Sequence, residues 1–120
     1  MPTSATSQSA RPPYRPISDY GAIGDCRTAA LIAPDGSIDW CCLPHFDSPA
    51  IFCRTLDAAQ GGYFQFAPMG GADGTMRYLD GTNMLHTRFT PSGGVADLID
   101  YMPVRQRPPH DNPFTHFLAD

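Results

Sequence analysis

Residues 28–43, TAALIAPDGSIDWCCL, predict a β-hairpin. Two apolar runs, 28–33 and 38–43, are separated by the sequence PDGS at 34–37. Proline presets the φ of a turn, and glycine tolerates the positive φ that tight turns require. The stretch therefore predicts strand, turn and strand, which makes antiparallel pairing the basis of the fold.

A second hairpin is predicted further along the chain. Residues 83–90 and 95–102 flank PSGG at 91–94, another turn-forming sequence between two apolar runs. Asp97 and Asp100 interrupt the alternation of the second run, which indicates a β-bulge there. Residues 114–119 are predicted to begin one more strand.

One short helix is predicted after Ser48. Ser48 followed by Pro49 fits an N-cap and a first helical position. A double glycine at 61–62 would end the helix after about three turns. The apolar residues that would share its buried face are Ile51, Phe52, Leu56 and Ala59.

The composition argues against any longer helix. All 12 acidic residues of the 120-residue chain are Asp and all 8 basic residues are Arg, so the helix formers Glu and Lys are absent, while 13 Pro and 11 Gly are present. The sequence therefore predicts an all-β fold, an antiparallel β-sandwich with one short helix. Residues 1–16, which are polar, small and proline-bearing, are predicted to be a disordered leader, and residues 17–120 a single domain.

Charge and hydropathy exclude several classes of protein. A formal net charge of −4 with scattered arginines offers no basic stripe for a phosphate backbone, so nucleic-acid binding is not predicted. The N-terminus lacks the apolar core of a secretory signal, and no apolar run reaches the length of a membrane span. These features predict a cytoplasmic protein with reduced thiols at Cys26, Cys41, Cys42 and Cys53.

The stretch IDWCCLPHFDSP at 38–49 concentrates the candidate reactive residues. Cys41, Cys42, His45 and Cys53 include no C-x-x-C pair and match no zinc spacing, so no metal or other cofactor is predicted. Adjacent cysteines on a strand point to opposite faces, which favours burial as structural thiols. A Cys-His nucleophilic dyad would need a thiol of lowered pKa beside an oriented imidazole, and the sequence does not indicate one.

Three aspartates, Asp25, Asp39 and Asp47, are candidates for the paired carboxylates of glycoside chemistry. Structural roles are favoured for them. Asp47 lies just before the predicted N-cap, and Arg27 is predicted to bridge Asp39 across the hairpin.

The aromatic residues of the same stretch allow two interpretations. Trp40 suits the core or a domain interface, and this interpretation is favoured. An exposed Trp40 beside Phe46 would instead suit stacking on a sugar ring.

Three ordered motifs carry a resemblance to a known family: DYGAIGDCRTAAL at 19–31, DGSIDW at 35–40 and LPHFDSP at 43–49. The resemblance also includes the later stretch VADLIDYMPVR at 95–105. Through them the chain resembles the N-terminal domain of bacterial family 15 glycoside hydrolases, which are glucoamylase-like and trehalase-like enzymes. His45 departs from the family pattern, in which arginine is more usual at that position.

The resemblance implies a β-sandwich packed against an (α/α)6 barrel that carries two catalytic glutamates, the general acid and general base of an inverting hydrolysis. This chain contains no Glu. It is therefore predicted to be a non-catalytic domain that supports and caps the barrel of the same polypeptide. The residues expected at the domain interface or at the substrate rim are Asp25, Arg27, Asp39, Trp40, His45, Phe46 and Asp47.

Two other functions stay open on the sequence. One is a free-standing carbohydrate-binding module in which Trp40 and Phe46 stack on the glucose rings of an α-glucoside. The other is a small enzyme that uses its own Asp or Cys residues. Exposed apolar edges without lysines also predict association into a homo-oligomer.

Overall fold

The computed structural model describes residues 13–104. The first regular element is a 3-10 helix, Ile17–Asp19. Within residues 13–104 no helix is long and apolar enough to cross a membrane. The strands are β1 (Gly21–Gly24), β2 (Ala29–Ile32), β3 (Ser37–Cys42), β4 (Ala50–Cys53), β5 (Phe64–Gln65), β6 (Thr75–Tyr78), β7 (Leu85–Phe89) and β8 (Ala96–Asp100).

The predicted first hairpin is confirmed as β2 and β3, the centre of sheet A. Sheet A has the order β1-β2-β3-β4, and β5 also pairs with β3, all antiparallel. In the turn, the Ala33 N–H donates to the Ser37 carbonyl at 2.8 Å, and the Gly36 N–H donates to the Ala33 carbonyl at 3.0 Å. Gly36 has φ +83°, the left-handed conformation for which glycine is favoured.

A β-bulge lies in the middle of this hairpin. Leu31 is paired with Trp40, whereas Ile32 is paired with Ile38, so Asp39 is the extra residue on β3. A bulged residue leaves the regular alternation of the strand. The side chain of Asp39 is fully buried there.

The predicted second hairpin is confirmed as β7 and β8, which form sheet B with β6 in the order β6-β7-β8. Its register runs without a shift from the pair Leu85 and Asp100 to the pair Phe89 and Ala96. The expected bulge is therefore absent from this strand pair. Asp97 fits a regular ladder because it lies on the exposed face opposite Arg88, whereas Asp100 lies opposite the buried Leu85.

The two sheets share one core. Its buried cluster consists of Ile23, Ala30, Ile32 and Cys41 from sheet A and Leu85 from sheet B. The sheets approach most closely at β1 and β7, where a Cβ added to Gly21 would lie 2.6 Å from Leu85 Cδ2. Two antiparallel sheets with a common core confirm the predicted all-β class.

The predicted position of the helix after Ser48 is wrong. Residues 50–53 form strand β4 instead, in which Phe52 is paired with Cys41 and Ala50 with Cys42 of β3. Hydrogen bonding to the long central strand outweighs the local helical pattern, because short elements depend more on tertiary pairing than on propensity. The short helix of the fold is the 3-10 turn at Ile17–Asp19.

The N-terminal part of the described chain is attached to the domain. Arg15 donates from its guanidinium to both carboxylate oxygens of Asp73, at 2.8 and 3.0 Å, and lies 3.5 Å from Asp35. The Tyr14 hydroxyl accepts a hydrogen bond from the Ala58 N–H at 3.3 Å. Residues 1–12 of the predicted leader and the strand predicted at 114–119 lie outside the described residues.

A side chain closes the outer edge of sheet A. The Tyr78 hydroxyl of β6 accepts from the Ala22 N–H and donates to the Ala22 carbonyl, both at 2.9 Å. Ala22 lies on the edge strand β1, whose backbone groups on that side would otherwise be open to another strand. The Tyr78 hydroxyl therefore satisfies both the N–H and the carbonyl of Ala22.

Tyr78→Phe is expected to lower the free energy of unfolding by about 1 kcal/mol, because two hydrogen bonds are lost and water replaces them at this partly exposed site. Urea denaturation would measure the loss. Tyr101→Phe is the matched control, since the Tyr101 hydroxyl has no hydrogen bond within residues 13–104 and its side chain is exposed. Equal losses for the two variants would contradict the edge-closing role.

Candidate functional site

Two loops of sheet A are bonded together and hold most of the predicted site residues. The loop between β1 and β2 carries Asp25 and Arg27, and the Arg27 carbonyl accepts a hydrogen bond from the Phe46 N–H at 3.0 Å. The Thr28 hydroxyl also donates to the Cys42 carbonyl. The structure therefore places Asp25, Arg27 and the LPHFDSP loop at one end of the sheet.

Asp25 has a structural role in this loop pair. Its Oδ1 accepts hydrogen bonds from the N–H groups of Arg27, at 2.9 Å, and Thr28, at 3.0 Å. Such a carboxylate organises a turn in the way that Asx turns do. The turn includes Cys26, which has φ +72°.

The LPHFDSP loop is held by its own backbone. It contains a cis peptide bond between Leu43 and Pro44. The His45 N–H donates to Ser48 Oγ at 3.1 Å, and the Ser48 N–H donates to the His45 carbonyl at 3.0 Å. Phe46 and Asp47 are exposed at its tip, so an aromatic ring and a carboxylate are presented outward from a tied loop.

Asp39 lies apart from these loops, in a buried polar cluster. Its Oδ2 accepts a hydrogen bond from the Tyr20 hydroxyl at 2.7 Å, and its Oδ1 lies 3.5 Å from Arg54 Nη1. The guanidinium carbon of Arg54 lies 3.4 Å from the centre of the Tyr63 ring, a cation–π contact. The predicted bridge from Arg27 to Asp39 is wrong, because among residues 13–104 the arginine that reaches Asp39 is Arg54.

Trp40 lies in a cleft rather than in the core. The cleft has a volume of about 460 Å³, and its aromatic wall is formed by Tyr14, Tyr20 and Trp40. Arg54 and Leu31 also line it, whereas Phe46 does not. The structure therefore does not bring Trp40 and Phe46 together as one sugar-stacking platform.

The two adjacent cysteines of β3 are buried thiols. Cys41 and Cys42 are buried, Cys53 is half-buried and Cys26 is exposed, and all four are free thiols. Burial, with a smaller contribution from Cys42, raises the pKa of Cys41, which disfavours its thiolate at neutral pH. No group of three or more His, Cys or Asp side chains within residues 13–104 could hold a metal ion.

Sheet B contains two carboxyl groups with shifted pKa values. Asp97 accepts hydrogen bonds from Arg88 Nε at 2.7 Å and is 2.8 Å from His86 Nε2. Arg88 first, and then His86, lower the pKa of Asp97 to about 2. Burial raises the pKa of Asp100, whose Oδ2 has no hydrogen-bond partner in the described part of the chain. The sequence singled out neither residue for a site.

The Asp97 cluster predicts a defined acid response. The folded chain binds a proton at Asp97 less readily than the unfolded chain, so its stabilisation is complete above about pH 4 and is lost as the pH falls toward 2. The stability difference between the native chain and Asp97→Asn should therefore be greatest above about pH 4 and shrink as the pH falls toward 2. Carboxyl NMR titration would check this, and a titration midpoint near the ordinary value of 3.8 would contradict it.

Comparisons with known proteins converge on one family. The chain is 43% identical over 93 residues to a trehalase of Thermoplasma volcanium, which covers 75% of this chain and 15% of that protein. It is 38% identical over 91 residues to a trehalase of Mycolicibacterium smegmatis, with 75% and 14% covered, and 36% identical over 91 residues to trehalase 1 of Sulfolobus acidocaldarius, with 76% and 16% covered.

The chain thus spans about a seventh of the length of these relatives, since the matches cover 14–16% of each. No solved structure matches it. The model of a protein family described as "Trehalase-like, N-terminal" matches residues 11–119. Since that match extends over nearly the whole sequence, the chain belongs to the trehalase-like N-terminal domain family.

Proposed function

We propose that this chain is the non-catalytic N-terminal domain of a trehalase-like enzyme of glycoside hydrolase family 15. In this proposal it supports and caps an (α/α)6 catalytic domain of the same polypeptide, which hydrolyses an α-glucosidic bond with inversion. The observation that carries the proposal is the alignment: trehalases match this chain over only 13–16% of their own length.

The state of the aspartates supports a non-catalytic role. An inverting hydrolysis needs an acid and a base held about 6.5–9.5 Å apart with room for a water between them. Asp25 is occupied by two backbone N–H groups, and Asp39 is fully buried beside Arg54. Asp39 is therefore shielded from a substrate, Oδ1 of Asp25 is held by its own loop, and the chain has no Glu.

The LPHFDSP loop is the part that we propose to reach the rim of the catalytic pocket. Its backbone is tied to the Arg27 carbonyl, while Phe46 and Asp47 point outward. A fixed loop with an exposed ring and carboxylate suits contact with another domain or with a bound sugar. The predicted site residues Asp25, Arg27 and His45 would position this loop.

The test is a chimera in which this chain replaces the matched segment of the Thermoplasma volcanium trehalase. We expect the chimera to hydrolyse trehalose and the isolated chain to be inactive on trehalose, maltose and aryl glucosides. The control is the same trehalase with the segment deleted, which should lose activity. Hydrolysis by the isolated chain, or full activity of the trehalase that lacks the segment, would refute the proposal.

A second measurement separates this function from sugar binding by the isolated domain. Trp40 is the only tryptophan of the chain and lines the aromatic cleft, so its fluorescence would report on a sugar bound there. Titration of the isolated chain with trehalose or maltose is expected to give no saturable change. A saturable change that Trp40→Phe abolishes would favour the carbohydrate-binding module instead.

A further inference from the structure

Sheet A extends beyond the part that sheet B covers. Sheet A has five strands and sheet B has three, and their closest approach is between β1 and β7. The buried core accordingly draws on β1, β2 and β3, with Leu85 from β7. Strands β4 and β5 both lie on the far side of β3, away from β1. The core-facing side of sheet A therefore extends beyond the area that sheet B covers.

Aromatic side chains occupy this continuation. Phe64 is paired with Ile38, which packs against the core, and Phe52 is paired with the core residue Cys41. Residues directly opposite each other in an antiparallel pair point to the same face, so both phenylalanines project on the core-facing side. Their ring centres are 6.5 Å apart.

A third phenylalanine extends the row. The Phe66 N–H donates to the Gly36 carbonyl at 3.2 Å, which continues the β5 ladder, and Phe66 follows Phe64 at the two-residue spacing of one strand face. Phe64 is 53% exposed and Phe66 is 67% exposed. We call Phe52, Phe64 and Phe66 the aromatic shelf.

The shelf differs from the opposite edge of the sheet. At β1 the chain closes its own edge with the Tyr78 hydroxyl. Within residues 13–104 the outer side of β4 and β5 pairs with no strand, and at the end of β4 the Cys53 N–H donates to the Gly61 carbonyl of the following loop at 2.9 Å. Strands β4 and β5 contain no charged residue that would discourage association. Phe52 is half-buried and packs against the core, so the exposed part of the shelf is formed by Phe64 and Phe66. Neighbouring exposed aromatic rings without charges are typical of a surface that another polypeptide covers.

We propose that the aromatic shelf is the docking surface for the remainder of the trehalase-like polypeptide, which would lay an apolar surface across Phe52, Phe64 and Phe66. The inference rests on the proposed function and names the surface that this function requires. Since 13–16% of each trehalase relative matches this chain, 84–87% of each relative lies outside it and is available as the cover. An uncharged apolar interface also suits two parts of the same polypeptide, because permanently associated interfaces are the more hydrophobic class.

Hydrogen exchange in the Thermoplasma volcanium chimera tests the docking surface. Backbone amides of β4 and β5 are expected to exchange roughly tenfold or more slowly in the chimera than in the isolated chain, because the cover suppresses local opening. Phe64→Gln should lower the melting temperature of the chimera and remove this protection, with little effect on the isolated chain. Val95→Gln is the control, since Val95 is 62% exposed and precedes β8 of sheet B.

The outcomes separate the docking surface from the proposed function. A soluble but inactive chimera with protected β4 and β5 would overturn the function and keep the surface. An active chimera in which these strands exchange as in the isolated chain would overturn the surface alone. If Phe64→Gln unfolds the isolated chain, Phe66→Gln provides the same comparison at a more exposed ring.

Light scattering on the isolated chain identifies a competing occupant. If the chain forms a dimer that Phe64→Gln converts to a monomer, and the chimera is monomeric with β4 and β5 unprotected, the shelf belongs to a second copy of the domain. This result would overturn docking in cis. A monomeric isolated chain, or a dimer that the substitution leaves intact, supports it.

Discussion

Gly36→Ala is expected to lower the free energy of unfolding by about 4 kcal/mol, from backbone strain and overpacking together. At φ +83° an added Cβ would lie 2.3 Å from the carbonyl oxygen of Phe66 and 3.2 Å from Phe89 Cζ. The oxygen belongs to the backbone, so relief requires β5 to move away from β3. Urea denaturation of the purified chain would measure the loss, which is a large part of the about 5–15 kcal/mol that stabilises a typical domain.

Gly62→Ala separates the two causes of that loss. Gly62 has φ +78°, nearly the same conformation, but a Cβ added there meets no atom within 4 Å. Its substitution carries only the conformational cost of a left-handed alanine, about 1–2 kcal/mol. If the two variants lose equal stability, the close approach of Phe66 to the hairpin turn contributes nothing, and the explanation given for Gly36 is wrong.

The hairpin around Gly36 was predictable from the sequence because its determinants are local. Proline and glycine in the turn act within four residues, and the apolar runs on either side pair with each other. The second hairpin follows for the same reason. What the sequence could not show is the bulge at Asp39, since a bulge depends on how the two strands align rather than on which residues they contain.

The wrong helix shows where local patterns fail. Ser48 and Pro49 fit the start of a helix, yet the Ser48 hydroxyl bonds to the His45 N–H and proline is also accepted at the border of an edge strand. Strand β4 is only four residues long, and its stability comes from the ladder with β3. The pairing with β3 is not part of the local sequence pattern around Ser48, so local propensity favours a helix where the fold has a strand.

This error also concealed the partner of Asp39. Once β4 pairs with β3 so that Cys53 is opposite Trp40, the next antiparallel position places Arg54 beside Asp39. The Thr55 N–H indeed donates to the Asp39 carbonyl at 3.3 Å. A helix over the same residues would have pointed Arg54 elsewhere, which left Arg27 as the arginine that sequence proximity suggested. The aromatic partners of the cluster, Tyr20 and Tyr63, had no signal in the sequence.

Asp39→Ala is expected to lower the free energy of unfolding by about 3 kcal/mol, near the lower end for breaking a buried ion pair. The Asp39 side chain is fully buried, whereas Arg54 keeps 17% of its side chain exposed, so water can partly solvate the guanidinium that is left unpaired. The Tyr20 hydroxyl also loses its acceptor at 2.7 Å. Chemical denaturation would measure the loss, and Asp97→Ala, at an exposed ion pair, is the control with a smaller expected effect.

A double-mutant cycle decides whether Arg54 is the reason for that loss. Arg54→Met leaves the buried Asp39 carboxylate without its cation and is expected to be destabilising by itself. The variant with both substitutions should lose less stability than the sum of the two single losses, by about 1 kcal/mol or more, because the second change removes a charge that the first left unpaired. Additive losses would mean that Asp39 is stabilised by Tyr20 and its other contacts, and that Arg54 is held in the cleft mainly by its contact with the Tyr63 ring.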